Sequence, residues 1–327
     1  MALRAVFTAK LHPRPPFNFE ATVHKPSHFP APVAAFEPAS APAKGAGYWQ
    51  TLRLSEGGGG LRMINVGTVD EPAIDLTLFA ESQLPDDECS TVVGELCWRF
   101  DLESDLSEFQ QRCGADPLLA PALQRWRGMR VSASGSLYEM LMVYVVLQNA
   151  TVRRTVQMMN ALLERYGTLL DFDGRRLYAF WPVETLATTG EEDLRALKVG
   201  YRARMLKRLS EAFAGGEMDE QRLRDLPMEE ARQQLLKLYG IGPASVSYLL
   251  FEVLHHNDAL DHVPPWEQRI YSRLFFDQQL VPADRIIDEA KRRWGEWRML
   301  AAHYLFEDLF WRRRNEPVPW LEELIRL

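Results

Sequence analysis

Cysteine is scarce in this chain: Cys89, Cys97 and Cys113 are the three among 327 residues. Three thiols are too few for a four-thiolate iron–sulfur cluster, and an odd, scattered set argues against a disulfide framework. A reducing cytoplasm is the expected compartment. Long apolar runs are missing too, with no stretch approaching the roughly 18–20 residues that a membrane span needs. Residues 1–10 are too short and too interrupted for a signal-peptide core, so no export signal is expected. Nor is there a surplus of positive charge. Lysine and arginine number 38 against 45 aspartates and glutamates, a formal charge of −7. That balance counts against a nucleic-acid binder working through bulk electrostatics and leaves one that works through a local patch. His255, His256 and His262 have no partner set at zinc-ligand spacing, so no metal site is expected from side chains.

What is present is the material of a globular protein, 46% hydrophobic and 25% charged, with length for two or three packed units. Residues up to about 82 have β character. Segments 48–54, 61–66 and 73–80 are alternating or β-branched, separated by turn-rich pieces that include 57–60. Segment 12–44 is rich in Pro and Ala and reads as loops and edge strands. From Asp87 the period changes to that of helices, with Val92, Val93, Leu96, Cys97 and Phe100 on one face. Helices are expected over 137–147, 151–166, 203–214, 228–238, 243–254, 267–275, 284–294 and 299–311. The expected architecture is α+β, a β-containing domain over 1–115 followed by an all-helical domain over 116–327. No internal repeat is visible.

One run carries more chemistry than the rest. In 236–250 two amphipathic helical stretches meet at Gly240-Ile241-Gly242, and Pro243 opens the second. Glycine permits backbone angles and close approaches that a side chain would obstruct, and proline suits a first helical turn. Such a turn presents free backbone amides at a helix N-terminus, a seat for a phosphate. Ile241 should point inward and pin the hairpin to the core. An ordinary helix–turn–helix corner is the plain alternative, and the flanking sequence decides between them. Basic residues cluster at Arg202, Arg204, Lys207 and Arg208, and again at Lys291, Arg292, Arg293, Arg312, Arg313 and Arg314.

The flanks resemble a helix-hairpin-helix DNA glycosylase, of the group that includes 3-methyladenine DNA glycosylase II and the 8-oxoguanine glycosylases. Phe100-Asp101-Leu102-Glu103-Ser104-Asp105-Leu106 and Asp116-Pro117-Leu118-Leu119-Ala120 are similar to the family's entry into its helical domain. Leu147-Gln148-Asn149-Ala150-Thr151 sits where the family has a glutamine-containing turn. Gly200-Tyr201-Arg202-Ala203-Arg204 is similar to a segment of the 8-oxoguanine branch. Arg293-Trp294-Gly295-Glu296-Trp297-Arg298 with Ala301-Ala302-His303-Tyr304 resembles the pocket helix of the alkyl-base branch. The pieces run in family order over about 90–311. The resemblance implies an N-terminal sheet like half of the TATA-binding protein, packed on a helical domain with the active site in the cleft. It also implies extrusion of a base from double-stranded DNA and cleavage of its N-glycosidic bond, because base edges are inaccessible in the stack. A monomer acting on damaged DNA at the nucleoid is expected.

Cleavage through an oxocarbenium-like sugar calls for a carboxylate that stabilises positive charge and directs a water. The resemblance implies an aspartate shortly after a proline in the helix beyond the hairpin. Here Glu267 stands at that place, two residues after Pro265, with Ile270, Arg273 and Leu274 keeping the spacing. Glu267 is therefore the expected catalytic carboxylate, with Asp261 as fallback and Asp258 behind it. Plain helix-dipole stabilisation of a first-turn acid is the bland reading of Glu267. The lysine that serves as Schiff-base nucleophile in bifunctional members corresponds to Ala244, so a monofunctional, water-using enzyme is expected. Tyr248 and Phe306 match pocket aromatics of the alkyl-base enzymes, and Trp266 adjoins the acid; cationic alkylated bases favour such rings. Trp294 and Trp297 read as core. Gln148 and Asn149 are candidates to fill the gap left by the base, and Gly240, Gly242 and Ala244 to grip a phosphate, with Arg202 and Arg204 nearby. No cofactor is expected beyond a monovalent cation that the family often holds through hairpin carbonyls. The leading substrates are 3-methyladenine and 7-methylguanine, with oxidised purines, or lesion binding without excision, as alternatives.

Overall fold

The computed structural model describes residues 2–27, 32–40, 45–316 and 318–324. Its N-terminal part is a five-stranded antiparallel sheet made of β1 (Arg4–Leu11), β2 (Ala34–Glu37), β3 (Gly47–Arg53), β4 (Gly58–Asn65) and β5 (Ile74–Ala80) in the order β1-β5-β4-β3-β2. A short helix, α1 (Phe19–Val23), lies between β1 and β2, and α2 (Asp86–Arg99) follows β5. Strand β2, in the Pro- and Ala-rich segment, is an edge, where missing ladder bonds are tolerated. Residues 28–31 and 41–44 of that segment lie outside the described residues.

Strand β3 is buried along nearly its whole length instead of on alternate residues. Both faces of the sheet are covered. One face, with Leu61, Met63, Ile74, Leu76 and Leu78, packs on Leu96 and Cys89 of α2. The other carries Trp49 and Phe79 against Leu170, Phe172 and Leu177. Those last three belong to a hairpin inside the helical half, β6 (Thr168–Phe172) and β7 (Arg175–Ala179). The hairpin departs from an all-helical second domain. It also explains the glycine run, which the sequence reads as turn: Gly58–Gly60 open β4, and a Cβ on Gly60 would stand 2.6 Å from the Phe172 ring.

The helical half runs through α3 (Ser107–Cys113), α4 (Ala120–Arg125), α5 (Leu137–Leu147), α6 (Val152–Tyr166), the β6–β7 hairpin, α7 (Val183–Thr188), α8 (Glu191–Ala196), α9 (Arg202–Ala214) and α10 (Glu220–Arg224). It continues with α11 (Met228–Leu236), α12 (Pro243–Glu252), α13 (Pro265–Phe276), α14 (Ala283–Trp294), a 3-10 turn at Gly295–Trp297, α15 (Arg298–Asn315) and α16 (Pro319–Glu322). Helix α5 is apolar all round and sits in the middle of one large core. A capping box at Ser136 and Glu139 fixes where it starts. Trp294 is fully buried in this core.

Hydrogen bonds weld the halves together. Arg130, 0% exposed, donates to the carbonyls of Ser104 and Arg14, each at 2.7 Å, and of Pro16 at 3.1 Å. Trp98 of α2 donates to the Val253 carbonyl at 2.9 Å, and Trp49 of β3 to Asp173 at 2.7 Å. Among the described residues no helix is long and apolar enough to cross a membrane.

Candidate active site and nucleic-acid interface

The hairpin is built as its residue types require. Gly240 has φ +80°, and a Cβ there would meet Met205 Cε at 2.3 Å. Gly242 is different: its φ is −108°, and nothing lies within 4 Å of where its Cβ would be. The protein's own packing leaves that position open, on the face where the α12 N-terminus emerges. Pro243 is the first residue of α12, and Ile241 is 6% exposed, packed in the core. The amides of Gly242 and Ala244 donate to no backbone carbonyl, since the first-turn donors of α12 have no intrahelical acceptor.

The turn after α5 faces the hairpin and is tied to it. Gln148 donates its amide to the Gly240 carbonyl at 2.9 Å. Asn149 takes a left-handed conformation (φ +49°), which its short polar side chain tolerates, and its amide lies 3.3 Å from the Tyr201 hydroxyl. Arg202 is 8% exposed and donates to the Gln148 carbonyl, so its charge fixes the turn from behind. Arg204 is exposed, its guanidinium 5.5 Å from the Tyr239 ring beside the hairpin. Tyr201 and Tyr239 are 48% and 47% exposed, large rings left on this face. Among the described residues no backbone amide donates to the hairpin carbonyls of Tyr239 and Ile241, which makes them the groups there that could hold a cation. No cluster of three or more His, Cys, Asp or Glu side chains that could hold a metal occurs among the described residues.

Glu267 lies in the first turn of α13, behind Pro265 at the first helical position. It is 3% exposed, and its Oε1 has no hydrogen-bond partner. Burial alone pushes its carboxyl up to about 8; burial also raises the hydroxyls of Tyr144 and Tyr271, with Glu252 adding to the first and the Glu267 charge adding to both. The fallback acids are occupied elsewhere. Asp261 is paired with Arg232 and with Arg298, the latter at 3.0 Å, and Asp258 lies 3.7 Å from Arg298. Trp266 is 47% exposed and stands edge-on to Phe306, ring centres 5.7 Å apart. Phe306 stacks further on Phe310 and on the small core of Ile270 and Leu309. Tyr248 stacks on Tyr144 at 6.1 Å.

Tyr144 leads to residues that sequence reasoning missed. Its hydroxyl donates to Glu252 at 2.6 Å. Both residues line a cavity of about 260 Å³ between the sheet domain and α5, α6, α12 and α15. Lys25, His303 and Glu307 also line it, and Leu147, one residue before Gln148, brings its wall to the hairpin face. Glu252 is the one charge in the apolar run 243–254, which is a usable signal. Lys25, in the loop after α1, offers none.

A helix hairpin opening α12, together with the N-terminal sheet and the helical half, gives the fold of a helix-hairpin-helix base-excision protein. Residues 142–314, more than half of the chain, match the HhH-GPD superfamily of base excision DNA repair proteins, and the chain belongs to that family of DNA glycosylases. It is 27% identical over 215 residues to a DNA-3-methyladenine glycosylase of Bacillus subtilis (strain 168), 64% of this chain and 70% of that protein. It is 26% identical over 231 residues to a probable N-glycosylase/DNA lyase of Methanothermobacter thermautotrophicus, 63% of this chain and 71% of that one. Among solved structures, the Archaeoglobus fulgidus 3-methyladenine DNA-glycosylase superposes with a TM-score of 0.74 at 18% identity, covering 95% of this chain and all of that one. The Clostridium acetobutylicum 8-oxoguanine glycosylase/lyase, solved with double-stranded DNA containing cytosine opposite 8-oxoguanine, gives 0.70 at 19% identity, covering 96% and 98%. At such identities these likenesses carry the fold, including the N-terminal sheet.

Proposed function

We propose that the chain is a monofunctional glycosylase that extrudes a damaged purine from double-stranded DNA and hydrolyses its N-glycosidic bond, with alkylated purines as leading substrates. The observation that carries this reading is Glu267: a carboxyl buried beside an aromatic wall, with an oxygen that the protein leaves unpaired. In its ionised form, which burial disfavours in the free enzyme, the carboxylate stabilises the positive charge that develops on the sugar, and a low-dielectric setting makes that stabilisation large. The same oxygen can accept a proton from the attacking water. Amides of Gly242 and Ala244 grip the phosphate, a monovalent cation at the hairpin carbonyls assists, and Asn149 fills the gap in the duplex. Tyr248, Tyr144, Trp266 and Phe306 supply faces on which a cationic base stacks. Ala244 has no amine, so the product is an abasic site and the strand is left intact. One chain suffices for all of these groups, in keeping with a monomer.

The test is incubation with duplexes bearing single 3-methyladenine, 7-methylguanine or 8-oxoguanine lesions, with abasic sites revealed by alkali. Release that vanishes in Glu267→Gln while binding persists is expected. Binding without release of any base would favour the second reading, a lesion-binding protein, which rests on glutamate standing where the family has aspartate.

A further inference from the structure

The interdomain cavity holds more polar chemistry than packing calls for. Lys25 faces it; burial lowers its pKa, the charges of Glu307, Glu252 and Asp101 work against that, and none of the three carboxyls lies within hydrogen-bond or ion-pair distance of it. Glu252 uses one oxygen on the Tyr144 hydroxyl. Glu307, 1% exposed, accepts from the Ser27 amide at 2.9 Å and the Ser27 hydroxyl at 2.6 Å. The Nε2 of His303 and Oδ1 of Asn160, on opposite walls, are buried with no partner. Buried polar groups in folded proteins are nearly always satisfied. A cluster of five with spare capacity is therefore arranged for something that the protein does not itself supply.

The complement of this cluster is an edge with an acceptor and a donor side by side: a carbonyl oxygen for the ammonium and an N–H for a carboxylate. An amino purine offers the reverse, an exocyclic donor next to a bare ring nitrogen, which would set an amine against Lys25. Two carboxylates against one ammonium still tolerate a cationic base. Stacking surface is available from Tyr144, which lines the cavity.

We propose that the cavity is the base-reading chamber and that Lys25, with Glu252 and Glu307, selects the N–H/C=O edge of a keto purine. Hypoxanthine and guanine derivatives, 7-methylguanine among them, are then favoured over adenine derivatives. The inference rests on the glycosylase reading and narrows its substrate class.

Duplexes carrying 2′-fluoro nucleotides of hypoxanthine or adenine opposite cytosine test it, because the fluorine suppresses cleavage and recognition is read as affinity. The two bases differ only at this edge, and the adenine–cytosine mismatch opens more easily, which biases the comparison against the expected result. The wild-type protein binds the hypoxanthine duplex tighter by about tenfold or more, the size of one or two charge-assisted hydrogen bonds. Lys25→Met and Glu252→Gln both erase the preference, with circular dichroism and affinity for undamaged DNA unchanged. Equal wild-type affinities, or a preference intact in both variants, would overturn the assignment. A preference that Lys25→Met erases, with no abasic product from any unfluorinated lesion, would uphold the chamber and overturn the glycosylase reading.

Discussion

Gln148 donates its side-chain amide to the Gly240 carbonyl at 2.9 Å, so the turn after α5 and the helix hairpin are held as one piece. Gln148→Leu removes the bond at nearly constant volume. A bond of about 1 kcal/mol that orients the clamp translates into roughly fivefold weaker DNA binding. Fluorescence anisotropy on an undamaged duplex checks this, with little change in melting temperature expected.

Gly242 separates folding from binding. Aspartate is a good N-cap, and the position is open and extended, so Gly242→Asp should hold or slightly raise stability. Its charge sits where a phosphate would, and DNA affinity should fall by about tenfold or more at low salt. A variant that melts normally and binds DNA normally would remove the hairpin from the interface.

Glu267 links activity to pH. Its carboxyl titrates near 8 in the folded protein and near 4.5 when unfolded. Below pH 4.5 both states keep the proton; as pH rises to 8 only the unfolded state has released it, so stability falls over that window. Glu267→Gln lacks this penalty and should be more stable than wild type by on the order of 3 kcal/mol at pH 7, with a smaller gap at pH 5. Thermal denaturation at the two pH values checks the sign.

The same substitution should slow base release by about 100- to 10,000-fold. In the wild type kcat/KM should climb through pH 8, where the free enzyme's carboxyl ionises, and a flat profile from pH 6 to 9 would exclude Glu267 as the required base.

Ala244 predicts what borohydride finds. With lesion DNA the wild type should give no trapped covalent complex and only alkali-sensitive abasic sites. Ala244→Lys places an amine at the start of α12 and should yield a trapped adduct on a denaturing gel.

The sequence by itself determined the local chemistry of this protein. Gly240-Ile241-Gly242-Pro243 dictates a hairpin, because only glycine tolerates φ +80° against Met205 and proline suits a first helical turn. Helical periodicity placed α5, α6, α9 and α11 to α15 within a few residues, and the proline before Glu267 located the candidate acid. Tertiary structure decided which groups are free to act. Arg202 reads as an interface cation, yet folding turns its guanidinium onto the Gln148 carbonyl and leaves Arg204 outside. Asp261 and Glu267 look alike on paper, but Arg232 and Arg298 neutralise the first, while nothing reaches Oε1 of the second. Lys25 and Glu307 are 282 residues apart and meet at one cavity only because the sheet domain packs on α15. Burial and charge pairing depend on contacts between distant segments, and no local pattern encodes them.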